Sequence, residues 1–103
     1  MSELEQQFHK AMIQVYKDAK LYCQYNATYF LQMVNEKGGL ATAKYLITTE
    51  NPSNGFRKLW ECKRLDLTVE AVALKPIYRD LFTEDELRLA RERLQEYEDK
   101  TQQ

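Results

Sequence analysis

The sequence predicts an all-α domain, and three observations carry that prediction. Apolar residues recur at alternating steps of four and three through most of the first 36 residues, which is the spacing of one helix face. A Thr-x-x-Glu capping box, formed by Thr83 and Glu86, marks the start of another helix. The one cluster of β-branched residues, at 45–49, is too short to compete as a strand. We therefore expect a single compact domain of four or five helices over residues 1–103.

The first predicted element is a long helix over residues 3–36. Its apolar stripe consists of Phe8, Met12, Val15, Ala19, Tyr22, Asn26, Tyr29 and Met33. A straight helix of this length would span about 50 Å at 1.5 Å per residue, whereas a domain of this size is only about 30–35 Å across. Either the segment breaks near 24–27, or part of it projects and needs a partner. Of the two we favour a continuous or slightly bent helix.

A C-terminal helical cluster is predicted over residues 39–99. The Gly38-Gly39 pair closes the first helix, because glycine readily takes the left-handed conformation found at helix ends. A second helix follows at 40–47 and a third at 56–63. The intervening segment 48–55 is a loop by composition, with Pro, Gly and two Asn.

Two further helices complete the cluster. A short fourth helix is capped by Asp66 or Thr68 and is stopped by Pro76. The last helix begins at the capping box of Thr83 and Glu86, and its buried stripe is predicted to include Leu87.

Composition narrows the classes of function. With 44% hydrophobic and 30% charged residues the chain is an ordinary globular one, and its net charge of −1 recruits neither phosphate backbones nor anionic membranes. No apolar run approaches the ~18–20 residues of a membrane span. Cys23 and Cys62 lie 39 residues apart without a CxxC pair. We interpret them as apolar fillers in a reducing cytoplasm rather than as a disulfide or metal site.

Candidate catalytic groups are few, and we expect a non-enzymatic protein without metal or cofactor. His9 lies toward the polar edge of the first helix and is interpreted as a solvated histidine, because no partner for a general base is indicated. Asp66 and Glu70 are i, i+4 neighbours beside Arg64 and could serve as an acid–base or cation-binding pair. The preferred interpretation is that Asp66 caps a helix while Arg64 neutralises it.

The N-terminal stripe also predicts contact with another protein, including self-association. Tyr22, Tyr25 and Tyr29 cluster on one edge of the helix, and tyrosine is enriched at interfaces. In heptad terms Asn26 occupies an a position, where asparagine fixes register in homodimers. Apolar residues at the e positions widen the face and suit a globular core instead. Core and interface both remain open, and a protein-binding site at these four residues is our first hypothesis.

An alternative hypothesis is an accessory domain that binds nucleic acid. Its basic set is Arg57, Lys58, Lys63 and Arg64. Phe56 and Trp60 are interleaved with these residues, and positive charge combined with aromatic faces is typical of such surfaces. Because tryptophan is usually well buried, a solvated basic face over an apolar stripe is the preferred interpretation.

The order and spacing of motifs in residues 38–97 resemble those of an uncharacterised small domain of bacterial and phage proteins. The matching pieces are Gly38-Gly39-Leu40 with Ala43-Lys44, Gly55-Phe56 with Leu59-Trp60-Glu61, the run from Arg64 to Ala71, and Leu81-Phe82-Thr83 with Glu86-Leu87. Similar sequences occur beside or fused to restriction-type nucleases. The resemblance implies a role in defence or counter-defence, with a nuclease as a partner in trans, and it implies no reaction.

Overall fold

The computed structural model describes residues 2–101, and every regular element within them is a helix. The α-helices are α1 (Glu3–Cys23), α2 (Thr28–Lys37), α3 (Gly39–Thr48), α4 (Asn54–Glu61), α5 (Val69–Ala73) and α6 (Glu84–Thr101). Two 3₁₀ segments, Leu65–Leu67 and Pro76–Leu81, flank α5. The predicted all-α class is confirmed.

The prediction of one continuous helix over 3–36 is wrong. The helix α1 ends at Cys23, because Gln24 takes a left-handed conformation with φ 51° and ψ 33°. The N–H of Tyr25 donates to the carbonyl of Ala19 and closes the helix end. The break lets α2 fold back against α1 and α3. The described chain then fits within extents of 42 × 29 × 22 Å, less than the ~50 Å that an unbroken helix would need.

The centre of the fold is α3, which packs against α1, α2, α5 and α6. As predicted, Gly38 ends α2, with φ +90° and its N–H donating to the carbonyl of Val34. The side chains of Phe8, Met12, Val34 and Ile47 are almost completely buried around α3. The hydrophobic core therefore lies where the N-terminal helices meet the C-terminal cluster.

Local capping explains where the shorter helices begin. The hydroxyl of Ser53 accepts a hydrogen bond from the N–H of Phe56 at the start of α4. Thr68 does the same for Ala71 at the start of α5, at 3.1 Å. Of the two predicted caps, Thr68 is therefore the actual one. Asp66 lies in a 3₁₀ segment and pairs with Arg64 instead.

The predicted capping box of α6 is confirmed in both directions. The N–H of Glu86 donates to Thr83 Oγ1 at 3.1 Å, and the N–H of Thr83 donates to Glu86 Oε1 at 2.9 Å. Phe82 before the box and Leu87 after it are both buried in the core. The entry of the chain into α6 is thereby fixed on its polar and its apolar sides.

The two cysteines form a disulfide, so the prediction of two unpaired apolar fillers is wrong. Cys23 ends α1 and Cys62 caps the end of α4, and their Cα atoms lie 6.1 Å apart. Pairing across 39 residues depends on how two helix ends meet in space, which their sequence spacing does not reveal. The pairing also removes the argument from free thiols to a reducing compartment.

Candidate functional site

The joint between α1 and α2 lies in the longest uncharged part of the chain. Residues 21–35 include no Asp, Glu, Lys or Arg, although 30% of all residues are charged. Within this segment Leu21, Tyr22 and Tyr29 are large side chains left exposed, and Tyr29 is 84% exposed. We call the exposed residues of 21–35 the uncharged surface. This uncharged run was not among the predicted features, although it is visible in the sequence as a gap in the distribution of charged residues.

An apolar cavity of about 230 Å³ lies beside the uncharged surface. It is lined by the second half of α1, the loop 24–27, α2, α3, the start of α4 and the start of α5. Its apolar lining comes from Val15, Ala19, Tyr25, Ala27, Tyr29, Phe30, Met33, Leu46, Phe56, Leu59 and Val69. Because Tyr29 is mostly exposed while Leu59 and Phe56 are buried, the cavity extends from the surface into the core.

The three predicted contact tyrosines do not form one cluster. Tyr25 and Tyr29 both line the cavity. Tyr22 lies instead against Arg64, whose guanidinium carbon is 4.8 Å from the centre of the Tyr22 ring. The structure therefore divides the predicted protein-binding residues between the cavity and a contact of α1 with Arg64, which lies between α4 and the first 3₁₀ segment.

Asn26 does not occupy a helical seam, and the heptad assignment is wrong because α1 ends before it. The residue lies exposed in the loop 24–27, and its Oδ1 accepts a hydrogen bond from the Tyr16 hydroxyl at 2.8 Å. Asn26 thus helps to fix the loop that forms part of the cavity wall. A role in setting the register of a homodimer loses its geometric basis.

A buried ion pair lies at the cavity wall. Glu70 is one of the lining residues, its side chain is only 4% exposed, and its Oε2 lies 3.1 Å from Arg93 Nη1. Arg93 also donates to the carbonyls of Leu46 and Thr49, which ties α6 to the end of α3. Burial raises the pKa of the Glu70 carboxyl, and the hydrogen bond from Arg93 opposes that shift. The pair therefore leaves the cavity wall without uncompensated charge.

The basic residues of the alternative hypothesis are only partly available. Arg57, Lys58 and Lys63 are exposed. Arg64 forms a two-point contact with Asp66, with hydrogen bonds of 3.1 and 3.2 Å.

The aromatic neighbours of this basic set face inward. Trp60 Nε1–H donates to the carbonyl of Tyr97, and the two rings meet edge to face. Phe56 is buried against the same Tyr97 ring. Phe56 is therefore not available for stacking on a base, and Trp60 is only partly exposed.

His9 differs from its predicted solvated state. It is half-buried, and its Nδ1 accepts a hydrogen bond from the backbone N–H of Gly39 at 2.9 Å. Among residues 2–101, no three His, Cys, Asp or Glu side chains are grouped so that they could hold a metal ion. Within the same residues, no helix combines the length and apolar character of a membrane span.

No protein-family model, no curated protein and no solved structure matches this chain.

Proposed function

We propose that the protein is a non-enzymatic binding module that docks another protein on the uncharged surface. The observation that carries the proposal is the location of Tyr29. Its side chain is 84% exposed at an apolar cavity and lies within fifteen consecutive uncharged residues. The centre of a protein interface is typically depleted of charged residues and enriched in tyrosine.

Tyr29 is the residue of this surface that should contribute most to the affinity for a partner. A fully buried aromatic ring removes about 150–250 Å² of surface from water. Three exposed polar residues near Tyr29 supply hydrogen-bonding groups without charge: Asn26, Thr28 and Gln32. Interface tyrosines of this kind cost on the order of 2 kcal/mol or more in affinity when truncated.

The mode of action that suits such a surface is occlusion or scaffolding of the partner. The resemblance to domains encoded near restriction-type nucleases supports a nuclease or other component of a phage or bacterial defence system as that partner. The partner in this proposal can also be a second copy of the chain, in a homodimer in which the two uncharged surfaces face each other. A cytoplasmic location is part of this proposal. The Cys23–Cys62 disulfide would be exposed to reduction there, because cytosolic thiol systems keep most cysteines reduced.

The test is capture of binding proteins from nuclease-treated host lysate by the immobilised protein and two variants. Tyr29→Ser removes the exposed ring from the uncharged surface. Ile77→Ser is the matched control, because Ile77 is also a large apolar residue, 60% exposed, but lies in the 3₁₀ segment Pro76–Leu81. We expect the same partner on the wild type and on Ile77→Ser, and its loss on Tyr29→Ser. Equal capture by all three would contradict the proposal.

Self-association is measured separately by light scattering. If the partner is a second copy, the wild type and Ile77→Ser scatter as dimers, whereas Tyr29→Ser scatters as a monomer. A monomeric wild type at all accessible concentrations would remove the homodimer from the proposal and leave the heterologous partner.

A further inference from the structure

The cavity beside Tyr29 extends to residues of the hydrophobic interior. Its inner wall is formed by Val15, Ala19, Phe56, Leu59 and Val69, each no more than 7% exposed. These side chains come from α1, α4 and α5, so the cavity reaches between three helices. An occupant would be enclosed by core residues on its inner side and by Tyr25 and Tyr29 on its outer side.

The volume of the cavity sets the size of the occupant. An apolar cavity of about 150 Å³ in a protein core stays dry and binds benzene. The cavity described here measures about 230 Å³. It therefore has room for a bicyclic ring system of roughly nine or ten non-hydrogen atoms.

Two hydroxyl groups of the wall, those of Ser53 and Thr68, already form hydrogen bonds within the protein. Ser53 Oγ accepts from the N–H of Phe56, and Thr68 Oγ1 accepts from Ala71 and donates to the carbonyl of Leu65. Glu70 is the one residue with a charged side chain among the lining residues that the structure describes, and Arg93 neutralises it. An ionic ligand would lose its hydration and gain no counter-charge.

We propose that this cavity is a binding site for a small, uncharged, planar aromatic molecule with two fused rings. Such a ligand gains apolar contact with the inner wall and ring contacts with Tyr25, Tyr29 and Phe30, which prefer edge-to-face or offset arrangements. A free small molecule is the occupant, because the volume of about 230 Å³ and the buried apolar residues of the inner wall are those of a site that surrounds most of a small ligand's surface. The site goes beyond the docking of a protein and does not depend on it.

The experiment titrates the protein with four probes that share one ring system. Indole is neutral, indole-3-carboxylate is an anion, tryptamine is a cation, and N-acetyltryptophan amide presents the ring on a peptide backbone. Binding is followed by backbone amide chemical shifts and by the thermal unfolding midpoint. We expect indole to bind at one site, to shift amides of the lining residues and to raise the midpoint.

Both ions are expected to bind at least roughly tenfold more weakly than indole, because the wall offers no free counter-charge. Absence of indole binding at its solubility limit would overturn the proposal. So would equal binding of either ion. Tighter binding of the peptide-borne ring would overturn the assignment to a free molecule and would make the cavity an anchor for a partner side chain.

Two variants place the binding in this cavity. A Cβ at Gly55 would lie 3.7 Å from Tyr25 Cε2, so Gly55→Leu inserts a side chain beside the ring of Tyr25. It should weaken indole binding at least roughly tenfold. Ala41→Leu adds the same side chain at an exposed position of α3 and should bind indole as the wild type does. Unchanged binding in Gly55→Leu would contradict the location.

A second variant, which enlarges the cavity, tests the location independently in case Gly55→Leu does not fold. Met33→Ala removes a half-buried lining side chain. It should shift the preference from indole toward the three-ring analogue carbazole. If Met33→Ala and the wild type had the same ratio of affinities for indole and carbazole, the ligand would bind elsewhere.

Discussion

The backbone N–H of Gly39 donates a hydrogen bond to His9 Nδ1 across 30 residues of sequence, with 2.9 Å between the two nitrogens. The first N–H groups of a helix have no partner within it, and His9 supplies one for the first residue of α3. Because Nδ1 is the acceptor, the neutral imidazole carries its proton on Nε2. The contact lies where the backbones of α1 and α3 approach each other closely.

Gly39→Ala should destabilise the protein. A Cβ at residue 39 would lie 2.7 Å from the Cα of His9, so two helix backbones must move apart. We expect the free energy of unfolding to fall by about 1–3 kcal/mol. Denaturant unfolding measures the change.

Gly55→Ala is the matched control, because its Cβ would meet nothing closer than 3.7 Å. Its stability should be unchanged or should rise by up to about 1 kcal/mol, since alanine favours the helix over glycine. Equal losses in both variants would contradict the close approach at Gly39.

Reduction of the Cys23–Cys62 disulfide should lower stability without changing the fold. The bond joins residues 39 apart, and closing a loop of that length stabilises a protein by about 3–4 kcal/mol in the chain-entropy treatment. The measurement compares denaturant unfolding of the oxidised wild type with that of the Cys23→Ser, Cys62→Ser double variant. Thiol reductant should destabilise the wild type and leave the double variant unaffected. Identical stabilities before reduction would mean that the two thiols are not paired.

Glu70 should give the protein a pH dependence of unusual sign for a carboxylate. Burial raises the pKa of Glu70 in the folded state above its ordinary value of 4.5. At a pH between the ordinary pKa and the raised pKa, the Glu70 carboxyl is ionised in the unfolded chain but still protonated in the folded chain. The free energy of unfolding therefore falls as pH rises through this window. The stability of the wild type relative to Glu70→Gln should be largest below pH 4.5 and should decline by about 1.4 kcal/mol per pH unit across the window. A difference that grows with pH would contradict this assignment.

Glu86 provides the opposite slope as an internal control. Burial opposes its ionisation, but the hydrogen bonds from Lys44 and from Thr83 outweigh burial and lower the pKa. The wild type should therefore be more stable than Glu86→Gln at a pH above the ordinary pKa of 4.5. This advantage should be lost as pH falls through the lowered pKa of the folded state.

The capping box of α6 should contribute measurably to stability. Thr83→Ala leaves the N–H of Glu86 without its side-chain acceptor and should cost about 1 kcal/mol in denaturant unfolding. Thr48→Ala is the control, because that exposed hydroxyl bonds only to carbonyls of the preceding turn. A cost of Thr83→Ala no greater than that of Thr48→Ala would remove the energetic role of the box.

Features encoded by local chemistry could be predicted from the sequence. The capping box at Thr83, the cap at Thr68 and the helix end at Gly38 depend on residues within one or two turns, and all three are confirmed. The break after Cys23 matches the alternative that the length of the segment suggested, a break near 24–27, but no local sequence signal favoured it over a continuous helix. Gln24 takes the left-handed conformation without being glycine or asparagine, because tertiary packing of α2 favours it.

The candidate site was harder to predict, because its parts are distant in sequence. The cavity brings together Ala19, Met33, Phe56 and Val69 from four helices. The clustering of three tyrosines on one helix edge predicts a contact site, and Tyr25 and Tyr29 do lie at the cavity, whereas Tyr22 does not. The prediction for Asn26 depends on a heptad that does not exist, because α1 ends before this residue.

The most direct test of protein docking at the uncharged surface is the dissociation constant of the captured partner as a function of salt. We predict a change of less than about threefold between 50 and 500 mM salt, because the surface holds no charge to be screened. Tyr29→Ser should raise the constant at least about tenfold at every salt concentration, and the Arg57→Ala, Lys58→Ala, Lys63→Ala triple variant should leave it unchanged. A dissociation constant that climbs steeply with salt and responds to the triple variant instead of Tyr29→Ser would contradict the account.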